Sequence, residues 1–485
     1  MNEAVETDSE RAWQAFRAEI RSRPVEKLDL RKIEREVQER LNALGAGLMA
    51  ETLKRADTTA PEVTIDGEQW GNRRVFLWSY VTMFGVVEIK RSTYQKAGRG
   101  KVAVPLDLRL GIVEGAYTPQ MARVMTRAAA VMTDEDAADF LAEVGTAVVS
   151  KSTISRVPRA MAARYEQRRE VIEAAIREQD PIPDGAVTVQ VALDGVMVPQ
   201  DGEHAKQRGR KTDAPEPPRH EQRYGRVLAL GPAANDGTLG RAWHEGSVGT
   251  LAFLDAEGRR LHTTYLARMP EPFKATLGRA LEMELMAILH EHPTMNVVFA
   301  SDGAAAQWAT LDEIAVHAAP VCTGQSMHLV DAFHVAEYLQ TAAEAIEGTS
   351  TSEARILAAT WRETVKESNG PDRVLRSMRA RLPSVTSETR RKELESAIGY
   401  IANQNDAGRM QYAEAIERNF PIGTGVTEAA AKTLVGTRMK RAGARFSQHG
   451  GQAVMTFRAA LLGGRFDALH RELDATYRKA VRWAA

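Results

Sequence analysis

The chain is 485 residues long and carries 64 Lys and Arg against 64 Asp and Glu, a formal net charge of zero. That length exceeds one ordinary core and predicts about two to four domains, while the neutral total excludes a uniformly basic surface and leaves any nucleic-acid partner to local patches. The single cysteine, Cys322, excludes an internal disulfide and a cysteine-rich zinc site and fits a reducing cytoplasm. The start, MNEAVETDSERAWQAF, lacks a charged-then-apolar leader, and no apolar run approaches the roughly 20 residues of a membrane span. The expectation is a soluble cytoplasmic protein with no membrane partner.

Residues 1–60 read as helices. Thr7-Asp-Ser-Glu10 has the capping-box pattern, and Leu30, Ile33, Val37, Leu41, Leu44 and Leu48 recur at helical spacing, a stripe read as core packing in preference to a dimerising coiled coil. The period then changes: Arg74–Tyr80 and Val86–Tyr94 predict a hairpin turning near Phe84-Gly85. The basic segment Lys96–Lys101 is read as a loop. Helical spacing returns over 118–170. There Asp134–Val144 is short and amphipathic, Gly145 ends it, and Val148-Val-Ser-Lys-Ser-Thr-Ile-Ser-Arg156 follows. The pair is similar to a helix-turn-helix, whose second helix enters the major groove with its first polar residues near base edges. Lys151, Ser152, Thr153 and Arg156 suit that task. An ordinary helical hairpin with Ser/Thr caps is the other reading.

Pro181–Gly185 reads as a linker. Val187–Leu193 alternates like a strand and becomes continuously apolar before Asp194-Gly195. Asp201–Arg226, polar and with three prolines, is expected to be a mobile loop extending the first hairpin. Strand-like pieces follow at 241–254 and 260–267, then a helix over 272–292, a strand at 296–300 ending at Ser301-Asp302-Gly303, another helix, and a strand at 326–330 running into Asp331-Ala-Phe-His334. Three strands, then helix, strand, helix, strand is the ribonuclease-H-like order, an antiparallel trio whose crossover connections make the later strands parallel. From Val335 to about Arg418 the spacing is helical throughout. The division is therefore 1–115, N-terminal helices plus a β-hairpin; 116–180, the helix-turn-helix region; 181–335, the first part of an α/β catalytic core; 336–420, an all-α insertion; and 421–485, the core's C-terminal helices.

Phe420–Ser447 has one acid, Glu428, in a predicted first helical turn, and no further acid occurs from Ala429 through Phe466. Lys432, Arg438, Lys440, Arg441 and Arg445 follow it and suit a polyanion. In such a sheet the ends of the strands bearing Asp194 and Asp302 are neighbours and the late helix packs across them, so Asp194, Asp302 and Glu428 would converge. Oxygen-only ligands suit Mg²⁺ or Mn²⁺, and two such ions can drive an in-line phosphoryl displacement. Taken singly, Asp-Gly is a common turn and Glu428 would merely pair with Lys432 one helical turn on. Asp331 and His334, three apart, allow a structural hydrogen bond at a helix start.

Gly423-Thr-Gly-Val-Thr-Glu428, with Lys432, Arg438-Met-Lys440, Gly443 and Arg445-Phe-Ser447, resembles the C-terminal signature of bacterial insertion-sequence transposases of the ISKra group, relatives of the Mutator superfamily. Leu193-Asp194-Gly195, Ser301-Asp302-Gly303 and Asp331-Ala-Phe-His334 match the other blocks in order and approximate spacing, and the resemblance spans most of 115–470. It implies an Asp-Asp-Glu catalytic and metal-binding triad at Asp194, Asp302 and Glu428, with Asp331 and His334 as an accessory site. Relatives often carry a zinc ribbon near Tyr94. Here Gln95, Lys96 and Gly98 stand there, so zinc is not expected, and Phe446 replaces the signature's usual tryptophan. The implied protein is a Mg²⁺-dependent transposase that binds the terminal inverted repeats of double-stranded DNA, cleaves them and joins them to target DNA as a homo-oligomer at the nucleoid. A domesticated, non-catalytic DNA-binding protein and a structure-selective nuclease on the same fold are the alternatives.

Overall fold

The computed structural model describes residues 8–96, 100, 102–145, 149–201, 241–441 and 444–483. These form two units, one running to Ile176 and completed by Arg465 onward, the other spanning Arg177–Gly464. The first begins with helices α1 (Asp8–Ser22) and α2 (Leu30–Ala56) and strands β1 (Val63–Ile65), β2 (Glu68–Thr82), β3 (Gly85–Gln95) and β4 (Val102–Ala103). Helices α3 (Pro105–Leu110), α4 (Pro119–Val131), α5 (Asp134–Glu143), α6 (Lys151–Gln167) and α7 (Arg169–Arg177) follow. The expected hairpin is β2–β3, turning between Thr82 and Gly85.

The apolar stripe of α2 departs from expectation. Leu30 is 72 % exposed, Leu41 42 % and Leu48 50 %, and Leu53, outside the stripe, is the helix's one buried residue among those described. Helical spacing shows that one face is apolar, but what covers that face is a matter of tertiary packing. Behind the hairpin, buried Arg91 donates to Tyr80 Oη at 2.8 Å and to Asp107 Oδ2 at 2.7 Å. Burial is the main force pushing the Asp107 carboxyl up, to about 6.

The second unit is built on β5 (Thr188–Asp201), β6 (Arg241–Leu254), β7 (Arg260–Arg268), α8 (Ala275–Glu291), β8 (Asn296–Ser301), α9 (Ala305–Ala318) and β9 (Ser326–Val330). Its five-stranded sheet has the order β7-β6-β5-β8-β9, with β6 antiparallel to both β5 and β7 and with β5, β8 and β9 parallel. The polar stretch read as a mobile loop lies, beyond Asp201, outside the described residues, as do three residues of the basic segment before β4 and Lys101. Helices α10 (Ala332–Glu347), α11 (Ser352–Thr364), α12 (Gly370–Arg381), α13 (Glu388–Asp406) and α14 (Tyr412–Glu417) form the all-helical stretch after β9. The chain returns to the sheet through α15 (Gly425–Ala431), a π-turn at Lys432–Gly436, α16 (Thr437–Met439) and α17 (Gln448–Leu462).

The final elements, α18 (Phe466–Tyr477) and β10 (Val481–Arg482), belong to the first unit, where β10 pairs antiparallel with β1. The division at 421–485 read from the sequence therefore splits at Arg465. A two-residue strand has no period of its own, and only its distant partner reveals it.

The sheet of the second unit separates two cores. On β5, Val189, Val191 and Leu193 belong to one cluster with Leu281, Leu285, Trp308 and Leu311 of α8 and α9. Val196 and Val198 belong to another with Leu434, Val435 and Met455 of the late helices. A strand buried on both faces loses the polar alternation of a surface strand, which explains the nearly continuous apolar run before Asp194. Gly249 on β6 lets α8 approach: a Cβ there would lie 2.9 Å from Leu281 Cδ1. Since Leu281 is fully buried, Leu281→Ala should lower unfolding free energy by about 2–5 kcal/mol in urea titration of the whole chain. A loss below about 1 kcal/mol would show that α8 is not a principal support of the sheet.

Candidate active site

Successive side chains of a strand alternate between faces. Odd positions 189–193 of β5 meet α8 and α9, whereas Gln190 Nε2 donates to Gly423 O at 3.0 Å on the opposite face. Asp194 has the parity of Gln190, Val196 and Val198, and so faces the side covered by α15 to α17. The parallel ladder pairs Leu193 with Ser301. Asp302, the next residue, therefore leaves β8 beside Asp194. Its loop is held from the helical stretch: Tyr400 Oη on α13 donates to Asp302 O at 2.8 Å and Gln404 Nε2 to Gly303 O at 3.4 Å. Gly303 has φ +101°, and a Cβ would stand 2.5 Å from Tyr400 Oη, so both backbone shape and close approach require glycine.

Glu428 sits in the first turn of α15. The start of that helix is fastened in three places. Asp331, at the end of β9, accepts from Thr424 N at 3.0 Å and from Thr424 Oγ1. Gln190 holds Gly423, and Thr427 shares a buried 2.7 Å hydrogen bond with Thr250 of β6. The helix position is thus set by the sheet, while the Glu428 side chain is 58 % exposed and its Oε1 accepts from Lys432 Nζ at 2.6 Å. The π-turn begins at Lys432; such single-turn widenings are frequent at functional sites.

Burial is the main force pushing the Asp194 carboxyl up, to about 6, followed by the negative charges of Asp302 and then of Glu428 and Glu245, against a hydrogen bond from the Gly195 backbone. The four carboxylates share one field. They do not share one ion-sized cage: among the described residues no three His, Cys, Asp or Glu side chains form a group that could hold a metal ion. The donor chemistry nevertheless fits a hard divalent cation, since all donors are oxygens and their mutual repulsion at Asp194 is relieved by positive charge. Of these carboxylates, Glu428 is engaged with Lys432 and Glu245 with Lys274.

Asp331 caps α10, accepting from Phe333 N at 2.7 Å and His334 N at 3.4 Å. The His334 imidazole turns instead to Glu337 at 3.2 Å and stands edge-on to Tyr338 and Tyr400. The two residues of the spaced pair therefore do different work. Among the cations after Glu428, Lys440, Arg441 and Arg445 are exposed, while Arg438 is 5 % exposed with its guanidinium over the Phe446 ring at 5.5 Å. Phe446 packs in the core beneath, and Gly443 lies outside the described residues.

In the first unit, Ser150 caps α6 by accepting from Thr153 N, and Lys151 pairs with Glu135 of α5 at 3.0 Å. Ser152 is exposed, Thr153 half-buried, and exposed Arg156 donates to Tyr117 Oη at 2.8 Å. Residues 146–148 of the turn between α5 and α6 lie outside the described residues.

Sequence reasoning missed Glu245, whose carboxylate accepts from buried Lys274 at 2.8 Å, and Gln307, buried on α9. A carboxylate beside glycine in a strand pattern, and a glutamine five residues after Asp302, were the available signals.

No family model matches the chain, and no curated protein matches it. Among solved structures it is similar to a chain of the crystal structure of a pre-cleavage Mos1 transpososome, at 11 % identity over 75 % of this chain and 80 % of that one, with a TM-score of 0.13.

Raising the Asp194 carboxyl means that the folded state holds its proton more tightly than the unfolded chain does, so stability falls as pH rises through about 6. Asp194→Asn removes that penalty. Thermal unfolding in chelator should show it stabilised by about 1–3 kcal/mol at pH 8, with the gain vanishing towards pH 4. Destabilisation at pH 8 would mean that the charges around Asp194 are already compensated.

Proposed function

We propose that this chain is a DNA transposase whose Asp194, Asp302 and Glu428 hold divalent cations and whose reaction is cleavage at terminal inverted repeats followed by transfer of the 3′-hydroxyl to target DNA. The observation that carries the reading is geometric: half-buried Asp194 on the central strand stands beside Asp302, one residue beyond the Leu193–Ser301 pair, and the charges of Asp302, Glu428 and Glu245 add to burial in raising its carboxyl. The reading is supported by an antiparallel trio extended by two parallel strands, with one acid on β5, one just past β8 and a third on α15, an order that resembles the ribonuclease-H-like one. When bound, Mg²⁺ or Mn²⁺ supplies a polarised phosphate oxygen and an activated water or hydroxyl.

The chain's own residues perform the remaining tasks. Asp194 presents its oxygens from the middle of β5 and Asp302 from the end of β8, and Glu428 joins them by releasing Lys432. An exposed ion pair one turn apart on a helix contributes little, so that exchange is easy. Lys432, once released, and Lys440, Arg441 and Arg445 follow the backbone of the cleaved strand, whereas Arg438 supports the helix from within. In the first unit, Lys151, Ser152, Thr153 and Arg156 at the start of α6 recognise the element ends. Acting on two ends calls for at least a homodimer on DNA.

Wild type, Asp302→Asn and Glu428→Gln should be compared on a labelled inverted-repeat end with Mg²⁺. Wild type should cleave and join, and each substitution should reduce both by at least about 100-fold. Undiminished activity of Glu428→Gln removes that residue from the site. Cleavage without joining by wild type identifies a nuclease, and DNA binding without cleavage a repressor.

Affinity for the same end should fall steeply as salt rises. Lys440→Ala should weaken binding to all sequences alike and reduce the slope of log affinity against log salt by about 1. An unchanged slope would place Lys440 away from phosphate.

A further inference from the structure

Gln307 lies in the first turn of α9, is 2 % exposed, and faces the back of the ladder that joins Asp194 to Asp302. Its surroundings decide the orientation of its amide, since the nitrogen must face acceptors and the oxygen a donor. So oriented, the nitrogen donates to Asp302 Oδ1 at 2.7 Å and Leu193 O at 3.2 Å and touches Ser301 Oγ, while the oxygen accepts from Gly195 N at 3.0 Å. One side chain therefore bonds the backbone on both sides of Asp194 and the carboxylate of Asp302.

Burying an amide is costly unless both ends are bonded, and here both are. A neutral donor is also the suitable chemistry. It fixes a carboxylate oxygen without cancelling the charge that a cation needs, whereas lysine or arginine would compete with the cation. Leucine or methionine would fill the space but leave Asp302 Oδ1 with the Ala304 amide and Ser301 Oγ as its donors and no tie to β5.

We propose that Gln307 is a positioning residue, holding the Asp302 carboxylate in register with β5 so that Asp194 and Asp302 present to the same divalent cation. This rests on the reading of those two aspartates as metal ligands. Hydrogen-bond partners behind metal-binding carboxylates are worth roughly 10–100-fold in affinity.

The test uses the full-length chain and Mn²⁺, with free Mn²⁺ followed by electron paramagnetic resonance, alongside a Mg²⁺ titration of end cleavage. Gln307→Met should bind Mn²⁺ about 10–100-fold more weakly than wild type. Its half-saturating Mg²⁺ should rise correspondingly, with cleavage returning towards the wild-type rate at saturating Mg²⁺. A merely structural role would lower the rate at every Mg²⁺ concentration without moving half-saturation, and that result overturns the proposal. So does Mn²⁺ affinity within about twofold of wild type while Asp302→Asn abolishes binding; the metal reading then survives. Absence of Mn²⁺ binding by wild type overturns both. If Gln307→Met does not fold, Gln307→Asn stays neutral and polar but draws the amide one methylene back from Asp302 Oδ1. The same rise in half-saturating Mg²⁺ is expected of it, and an unmoved value overturns the proposal.

Discussion

A carboxylate in the middle of a strand with a packed core on each face is the constraint around which the second unit is arranged. Asp194 occupies a position where Val196 and Val198 on the same face are buried, and the charges of Asp302, Glu428 and Glu245 that act on it are negative. Such a position is unfavourable by itself, since burial and like charge both oppose ionisation. The surrounding structure does not neutralise it. It supplies hydrogen bonds from neutral groups instead: the Gly195 backbone to Asp194, the Gln307 amide to Asp302, and threonine and glutamine contacts that fasten α15. Positive side chains near the site are spent on exposed or peripheral acids, Lys432 on Glu428 and Lys274 on Glu245.

The helical stretch between β9 and α15 has a structural consequence for two of these acids. Tyr400 and Gln404 on α13 hold the backbone of the Asp302 loop, and Asp331 at the foot of α10 holds Thr424 immediately before α15. Asp331 thereby satisfies the first amides of α10 and the entry to the Glu428 helix with a single buried carboxylate. The stretch is therefore joined to the sheet where the acids emerge. Stacked Tyr338 and Tyr400, with ring centroids 3.8 Å apart, tie α10 to α13 at that end.

Much of the scaffold was legible in the order of residues. Alternation marked β5, the turn at Phe84-Gly85 marked the β2–β3 hairpin, and Asp302-Gly303 marked the end of β8; Asp194-Gly195, read as a second strand end, lies instead inside β5, which runs on to Asp201 because β6 pairs with it along its whole length. The i,i+4 spacing of Glu428 and Lys432 also announced the pair that the structure contains. The exposed stripe of α2, the placement of α18 and β10 with the first unit, and the inward turn of Arg438 were not legible. Each depends on which distant surface comes to lie against the element.

Local period and composition by themselves determined which segments are strands or helices and which residue types stand at their ends, because backbone geometry imposes periods of about 2 and 3.6 on the positions that can be buried together. Tertiary structure alone decided that Gln307 stands behind both Asp194 and Asp302, and that Asp331 serves α10 and α15 at once. Those relations join residues far apart along the chain. They follow from strand pairing and face-to-face packing, and leave no period in the sequence.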